Sequence, residues 1–126
     1  MKKNKSDILN YYKEVLKWNP PFADLLNKYL PNSLEGYLIM RESVQNGILP
    51  EKYKELLFTI LDSIDNELSG AKAHSLAAMK AGLSIQELVE AFTIVTLVKG
   101  INVMCKSGVE VIKVAEKYIT ENKKNK

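Results

Sequence analysis

Residues 54–92 decide the fold, and they read KELLFTILDSIDNELSGAKAHSLAAMKAGLSIQELVEAF. Their apolar residues recur every three or four positions, which is the period of an α-helix with one buried face. The pattern predicts one helix from Pro50 to about Asn66 and an alanine-rich helix over residues 69–81, which Gly82 ends. Because only a short turn joins the two helices, the sequence predicts an antiparallel helix pair.

The same stretch contains the start of a third helix. Ser84 and Glu87 have the three-residue spacing of a capping box. The helix that follows is apolar on nearly every side, through Ile85, Leu88, Val89, Ala91, Phe92, Ile94, Val95, Leu97 and Val98. A helix that is apolar all round must be buried all round. A chain of 126 residues rarely encloses one completely, so this helix predicts a subunit interface in a homo-oligomer.

Outside this stretch the pattern stays helical. We expect further helices over residues 6–18, ahead of Pro31, after a capping Asn32, and from beyond Gly100 to about Thr120. No alternating strand pattern and no internal repeat is visible. The sequence therefore predicts an all-α protein of six or seven helices. We expect a single domain over residues 1–126, with solvated basic tails at residues 1–5 and 121–126.

The charge distribution excludes one class of function. The chain has 18 basic and 15 acidic residues and a formal net charge of +3. Six of the basic residues lie in the two tails, so residues 6–120 carry 12 basic and 14 acidic groups. A nucleic-acid-binding protein is expected to carry a basic stripe on its folded body. We therefore expect no nucleic-acid partner.

Cysteine content and hydropathy bear on the compartment. The single cysteine, Cys105, excludes an intramolecular disulfide and a multi-cysteine metal site. We expect Cys105 to be buried near the end of the apolar helix and to behave as a small apolar side chain. The most apolar stretch, residues 88–105, contains Glu90 and Lys99, which argues against a membrane span. The sequence also shows no targeting signal, so it predicts a cytoplasmic protein with no membrane partner.

His74, the one histidine of the chain, is the first candidate for chemistry. Helical spacing places Glu67 on the same face, seven residues earlier. An antiparallel turn near residue 67 brings Glu55 of the preceding helix against His74. A glutamate beside an imidazole fixes the tautomer and favours the protonated form, which suits a proton donor or acceptor. A purely structural Glu55–His74 pair stays open at this point.

These residues and spacings resemble the carboxymuconolactone decarboxylase and alkylhydroperoxidase-like family. The family pattern is a glutamate, eleven residues, a C-x-x-C pair, three residues, a histidine, an alanine-rich helix ending in glycine, and a capped helix. Glu55 and His74 match its glutamate and histidine. The other matches are Ala77, Ala78, Gly82, Ser84, Glu87 and Gly100. The resemblance covers about residues 48–105, which form the motif-bearing core.

The chain departs from the pattern at the two cysteine positions, which hold Glu67 and Gly70. Peroxide reduction by such a pair needs a thiolate and a resolving thiol. The resemblance therefore implies a branch without the C-x-x-C pair, with a non-redox activity such as that of the lactone decarboxylase. It implies His74 as proton donor and acceptor, Glu55 as the group that orients it, and Glu67 as a second carboxylate facing a cavity.

The resemblance further implies an oligomer-forming alkylhydroperoxidase-like bundle, a trimer or a hexamer, without a cofactor or a metal. The implied partner is a small-molecule substrate, an anionic lactone or carboxylate, and the implied enzyme class is a lyase. Three alternatives stay open. The chain could be a hydroperoxidase-like protein that uses Cys105 or a partner's thiol, or a non-catalytic scaffold or ligand-binding member. It could also bind manganese, iron or zinc through Glu55, Glu67 and His74.

Overall fold

The computed structural model describes residues 13–14, 17 and 20–124. Residues 20–124 contain six α-helices, one π-helical segment and no strand, which confirms the predicted all-α class. The helices are α1 Pro21–Tyr29, α2 Pro31–Gln45, α3 Glu51–Ile64, α4 Leu68–Lys80, α5 Ile85–Lys99 and α6 Val109–Lys124, with the π-helical segment at Met104–Gly108. The predicted helix over residues 6–18 falls almost entirely outside the described residues, as does the tail at 1–5.

The chain divides into two compact units, Met1–Leu49 and Pro50–Lys126. In the first unit, α1 and α2 each begin with a proline in the first turn, where its missing N–H is not needed. Asn32 therefore lies inside the first turn of α2, and the prediction that it caps this helix is wrong, because Leu30 is the N-cap. Phe22 packs edge-to-face on Tyr37 at 4.7 Å between ring centroids.

The second unit is built on the predicted antiparallel pair, α3 and α4. Asn66, with a φ of 59°, adopts the left-handed conformation that ends α3. The N–H of Glu67 donates to the carbonyl of Asp62 at 2.8 Å, and the N–H of Asn66 donates to that of Ser63 at 3.2 Å. This pair of bonds is a Schellman motif, and it reverses the chain within three residues. The turn thereby fixes which residues of α3 face α4.

A second Schellman motif separates α4 from α5. Gly82 has a φ of 102°, and the N–H of Leu83 donates to the carbonyl of Ala78 at 3.0 Å. Ser84 then begins α5 with a complete capping box. Its hydroxyl accepts from the Glu87 N–H at 3.1 Å, and its own N–H donates to the Glu87 carboxylate at 2.9 Å. The predicted end of α4 at Gly82 and the predicted capping of α5 by Ser84 and Glu87 are therefore both observed.

The core of the second unit lies where small residues of α4 meet the other helices. Its buried members are Ala71, Ala78, Met79, Leu83, Leu88, Phe92, Val111 and Ala115. Gly108 permits close packing there, because a Cβ at this position would lie 3.2 Å from the Phe92 ring and 3.1 Å from the Met104 sulfur. Because Gly108 has no side chain, the backbone of the π-helical segment packs directly against the core at this residue.

The apolar helix α5 is only partly buried within this chain. Leu88, Phe92 and Val95 face the core, whereas Leu97 is 83% exposed and Val98 is 78% exposed. Among the described residues, no helix is both long enough and apolar enough to cross a membrane. At the C-terminus, α6 continues to Lys124, beyond the predicted helix end at about Thr120, and residues 121–123 are exposed.

Replacing Gly82 by alanine should destabilise the protein by about 1–2 kcal/mol through backbone strain alone, because L-residues disfavour positive φ. A Cβ at Gly82 would meet nothing within 4 Å, so no clash contributes. Gly36→Ala is the control, since Gly36 lies inside α2 with equally open space, and alanine there should stabilise by roughly 0.5–1 kcal/mol. Urea unfolding measures the stability of both variants. A Gly82→Ala variant as stable as the native chain would contradict the positive φ assigned to Gly82.

Candidate active site

The α3–α4 hairpin brings Glu55 and His74 into direct contact. The Nδ1 atom of His74 lies 2.6 Å from the Oε2 atom of Glu55, across 19 residues of sequence. Both groups are buried, with Glu55 0% and His74 4% exposed. Burying either group is costly without a hydrogen-bonding partner, so each makes the burial of the other affordable. This contact joins two of the three predicted site residues.

Phe58 fixes the plane of the imidazole. Its ring stacks on that of His74 with centroids 4.8 Å apart and an interplanar angle of 26°. Phe58 lies one helical turn after Glu55 on α3, so a single helix provides both the carboxylate and the stacking ring. With Nδ1 held by Glu55 and one ring face covered by Phe58, the imidazole has little freedom to rotate.

Buried hydroxyls continue the polar face of α3 away from Glu55. The Thr59 hydroxyl donates to the Glu55 carbonyl at 2.8 Å, and the Ser63 hydroxyl donates to the Thr59 carbonyl at 2.7 Å. Both hydroxyls satisfy their hydrogen bonds within their own helix. They therefore do not donate to the Glu55 carboxylate that contacts His74.

The second imidazole nitrogen lies near a carboxylate that sequence reasoning missed. The Nε2 atom of His74 is 3.9 Å from the Oδ2 atom of Asp62, whose side chain is 30% exposed. This separation is longer than a hydrogen bond, which spans about 2.7–3.2 Å. Asp62 follows Glu55 by seven residues, two helical turns on the same face of α3, and that spacing was the signal available in the sequence.

The third predicted residue, Glu67, does not join the pair. It is exposed and caps α4, where its Oε1 atom accepts from the Ser69 hydroxyl at 2.6 Å and from the Gly70 N–H at 3.3 Å. The hydrogen bond from the Ser69 hydroxyl is the larger cause, and that from the Gly70 N–H the smaller cause, that holds the pKa of the Glu67 carboxyl below its ordinary value. The bonds that Glu67 makes are those of a helix cap, and the carboxylate near Nε2 of His74 is that of Asp62.

The structure also bears on the metal alternative and on Cys105. Within the described part of the chain, no three His, Cys, Asp or Glu side chains are grouped so that they could hold a metal ion. Cys105 is exposed, so the expectation that it is buried is wrong. The reason is local, because the chain leaves α5 at Gly100 and Cys105 falls in the π-helical segment, whose buried positions are Ser107 and Gly108.

The arrangement is suited to proton transfer at one atom. When the Glu55 carboxylate is ionised it only accepts hydrogen bonds, so its contact with the imidazole then requires a proton on Nδ1. In the neutral imidazole of that tautomer, Nε2 is the ring nitrogen that carries no proton. The carboxylate at Nδ1 orients the ring and stabilises the positive charge that forms when Nε2 is protonated. This geometry suits acid–base chemistry at Nε2, which lies on the side of Asp62.

Comparison with known proteins places the chain in a family. No protein-family model and no curated protein matches the chain. Among solved structures, it is similar to the crystal structure of a putative carboxymuconolactone decarboxylase from Burkholderia xenovorans LB400, at 30% identity and a TM-score of 0.80. The match covers 98% of this chain and 99% of that one. The chain belongs to the carboxymuconolactone decarboxylase family, as its sequence resemblance predicted.

The cap at Glu67 predicts a pH-dependent contribution to stability. Because its pKa is lower in the folded chain than the unfolded value of about 4.3, the carboxylate stabilises the fold above that pH. This contribution disappears as the pH falls through the folded-state pKa. Glu67→Gln, which keeps an acceptor but loses the charge, should therefore be less stable than the native chain near neutral pH and equally stable in acid.

Urea unfolding over a pH series measures this difference. Glu90→Gln is the matched control, since Glu90 is exposed on α5 and the same substitution there removes one charge away from the cap. A stability difference for Glu67→Gln that stays constant from neutral pH into acid would contradict the capping role of the charge.

Proposed function

We propose that the protein is a non-redox enzyme that moves a proton at a carbon atom of a small anionic substrate. The substrate class that the family suggests is a carboxylated unsaturated lactone, and the reaction is its decarboxylation. The observation that carries the proposal is the 2.6 Å contact between the buried Glu55 carboxylate and Nδ1 of His74, which leaves Nε2 as the exchanging nitrogen.

In this reaction the bond between the ring carbon and the substrate carboxylate breaks, and carbon dioxide leaves. The electron pair of that bond moves through the conjugated double bond to the lactone carbonyl oxygen, which becomes an enolate. The proton on Nε2 of His74 is then transferred to carbon, and the enolate collapses to the product lactone. Glu55 orients the imidazole and stabilises its charged form before the transfer.

The residues at the former thiol positions support a non-redox reaction. Glu67 and Gly70 stand where the peroxidase branch carries its cysteines, and neither side chain can act as a thiolate. Gly70 is buried and donates its N–H to Glu67, so these positions form the start of α4. Of the three predicted catalytic residues, the proposal keeps His74 and Glu55, and it assigns Glu67 to the helix cap.

Glu55→Gln should lower turnover of a carboxylated unsaturated lactone by about 10²–10⁴-fold, the range typical of a positioned acid–base group. Glutamine preserves the volume and an acceptor for Nδ1, but it cannot stabilise a charged imidazole. The measurement is release of carbon dioxide, together with circular dichroism to show that the helices are retained. Glu90→Gln, the same substitution at an exposed position of α5, should keep native turnover.

The non-catalytic alternative makes a different set of predictions. If the protein only binds a ligand, no carboxylated lactone will be turned over, and His74→Ala will leave ligand affinity and oligomeric state intact. Turnover that survives Glu55→Gln at the native rate would likewise exclude the proposed role of the pair.

We also propose that the protein acts as a homo-oligomer, a trimer or hexamer as the family implies. The support is on α5, where Ile94, Leu97 and Val98 form one face at helical spacing and are 58%, 83% and 78% exposed. Adjacent exposed apolar side chains of this kind mark an interaction surface. We assign a second copy of the chain as the partner that covers this face, because copies of the same chain are present together wherever the protein is made.

Leu97→Glu should dissociate the oligomer, because a carboxylate buried at an apolar interface loses its hydration without gaining a partner. Light scattering coupled to gel filtration measures the change in mass. Thr120→Glu introduces the same charge at an exposed position of α6 and should leave the mass unchanged. A native chain that runs as a monomer would refute the proposal directly.

A further inference from the structure

The buried imidazole needs a route for its proton. In the proposed reaction one proton passes from Nε2 of His74 to carbon in each turnover, and carbon dioxide leaves without one. Nε2 must therefore regain a proton from solvent each time. The Glu55 side of the ring offers no path, because the Glu55 side chain is 0% exposed, and the His74 side chain itself is only 6% exposed.

Asp62 lies where such a route would begin. Its Oδ2 atom is 3.9 Å from Nε2, and its side chain is 30% exposed, so one carboxylate approaches both the imidazole and the solvent. Direct transfer requires this separation to shorten by roughly 1 Å to hydrogen-bond length. The Asp62 carboxylate can shorten the distance by rotation, because its terminal torsion angle has a broad range of low-energy values. Alternatively, one bridging water can carry the proton between the two atoms.

We infer that Asp62 is the proton-relay residue of this site, acting through His74 and exchanging its Nε2 proton with water. When Nε2 releases a proton, the N–H bond breaks and an O–H bond forms at Oδ2. The carboxylic acid then gives that proton to water. Recharging runs in reverse, from hydronium or a buffer acid to Oδ2 and from Oδ2 to Nε2, so no other reactant is needed.

The inference deepens the proposed function, because a role of Asp62 in turnover requires that the proposed function is correct. The exchange of the Nε2 proton with water does not depend on the proposed function, because it takes place at the buried imidazole without substrate. A single histidine in the chain makes it measurable, since all histidine ring signals belong to His74. Nitrogen-15-labelled histidine therefore reports the exchange of the Nε2 proton with water by saturation transfer.

The experiment compares the native chain with Asp62→Asn and with Asp65→Asn. Asparagine keeps the size of the side chain and a hydrogen-bonding group but cannot carry a proton between two atoms. We expect Asp62→Asn to slow the exchange by about 10-fold or more, and Asp65→Asn to leave it unchanged. Asp65 is the exposed C-cap of α3, three residues further on, so its substitution removes the same charge nearby.

Three further readouts separate a relay from a structural role. Added formate should restore the exchange in Asp62→Asn, because a small acid can carry the proton in place of the missing carboxylate. Asp62→Glu, which keeps a carboxylate, should retain exchange, and it provides the test if Asp62→Asn does not fold. With the lactone substrate, Asp62→Asn should lower kcat and leave KM unchanged.

The outcomes distinguish this inference from the proposed function. Unchanged exchange in Asp62→Asn would overturn the relay, since water would then reach Nε2 directly, and turnover would remain a separate question. Slow exchange that formate restores would support the relay even if no lactone were turned over. Exchange that is slow in Asp62→Asn but is not restored by formate, and is equally slow in Asp62→Glu, would also overturn it, because the carboxylate would then act only on local packing.

Discussion

The contact between the Glu55 carboxylate and the His74 imidazole is the constraint on which the second unit depends. A buried carboxylate and a buried imidazole each lose hydration, and the 2.6 Å contact between them offsets that loss. It does so only if α3 and α4 meet in one register. A shift of one residue along either helix would turn one partner to another face and leave the other buried without this contact.

That register is set at the helix ends. Asn66 reverses the chain through a Schellman motif, and Glu67 caps the start of α4 directly afterwards. Small buried residues on α4, among them Ala71 and Ala78, then allow the neighbouring helices to approach closely. Backbone geometry at the turn and small side chains along the helix therefore act together to position His74 against Glu55. The geometry of the Glu55–His74 contact is a consequence of how the two helices are joined.

The site was only partly readable from the sequence. Glu55 and His74 could be paired because the turn between them is short and strongly marked, so their helices had to be antiparallel. Helical spacing predicted Glu67 on the same face as the imidazole. Glu67 lies before the first residue of α4, however, and its carboxylate accepts hydrogen bonds from Ser69 and Gly70. Asp62 shares the face of Glu55 at a spacing of seven residues, but how near its carboxylate comes to Nε2 depends on the packing of α3 against α4, which periodicity within one helix does not give.

Sequence patterns were sufficient to predict the helical class, the boundaries around Gly82 and Ser84, and the pairing of Glu55 with His74. Each of these follows from local rules, since periodicity, capping and left-handed turn residues act within a few positions. Three features became apparent in the folded chain alone: Asp62 approaches Nε2, Glu67 is a surface cap and Cys105 is exposed. The approach of Asp62 to Nε2 depends on how α3 packs against α4, and such packing is fixed by the shapes of side chains distant in sequence. The cap at Glu67 and the exposure of Cys105 come instead from local geometry at the start of α4 and in the π-helical segment.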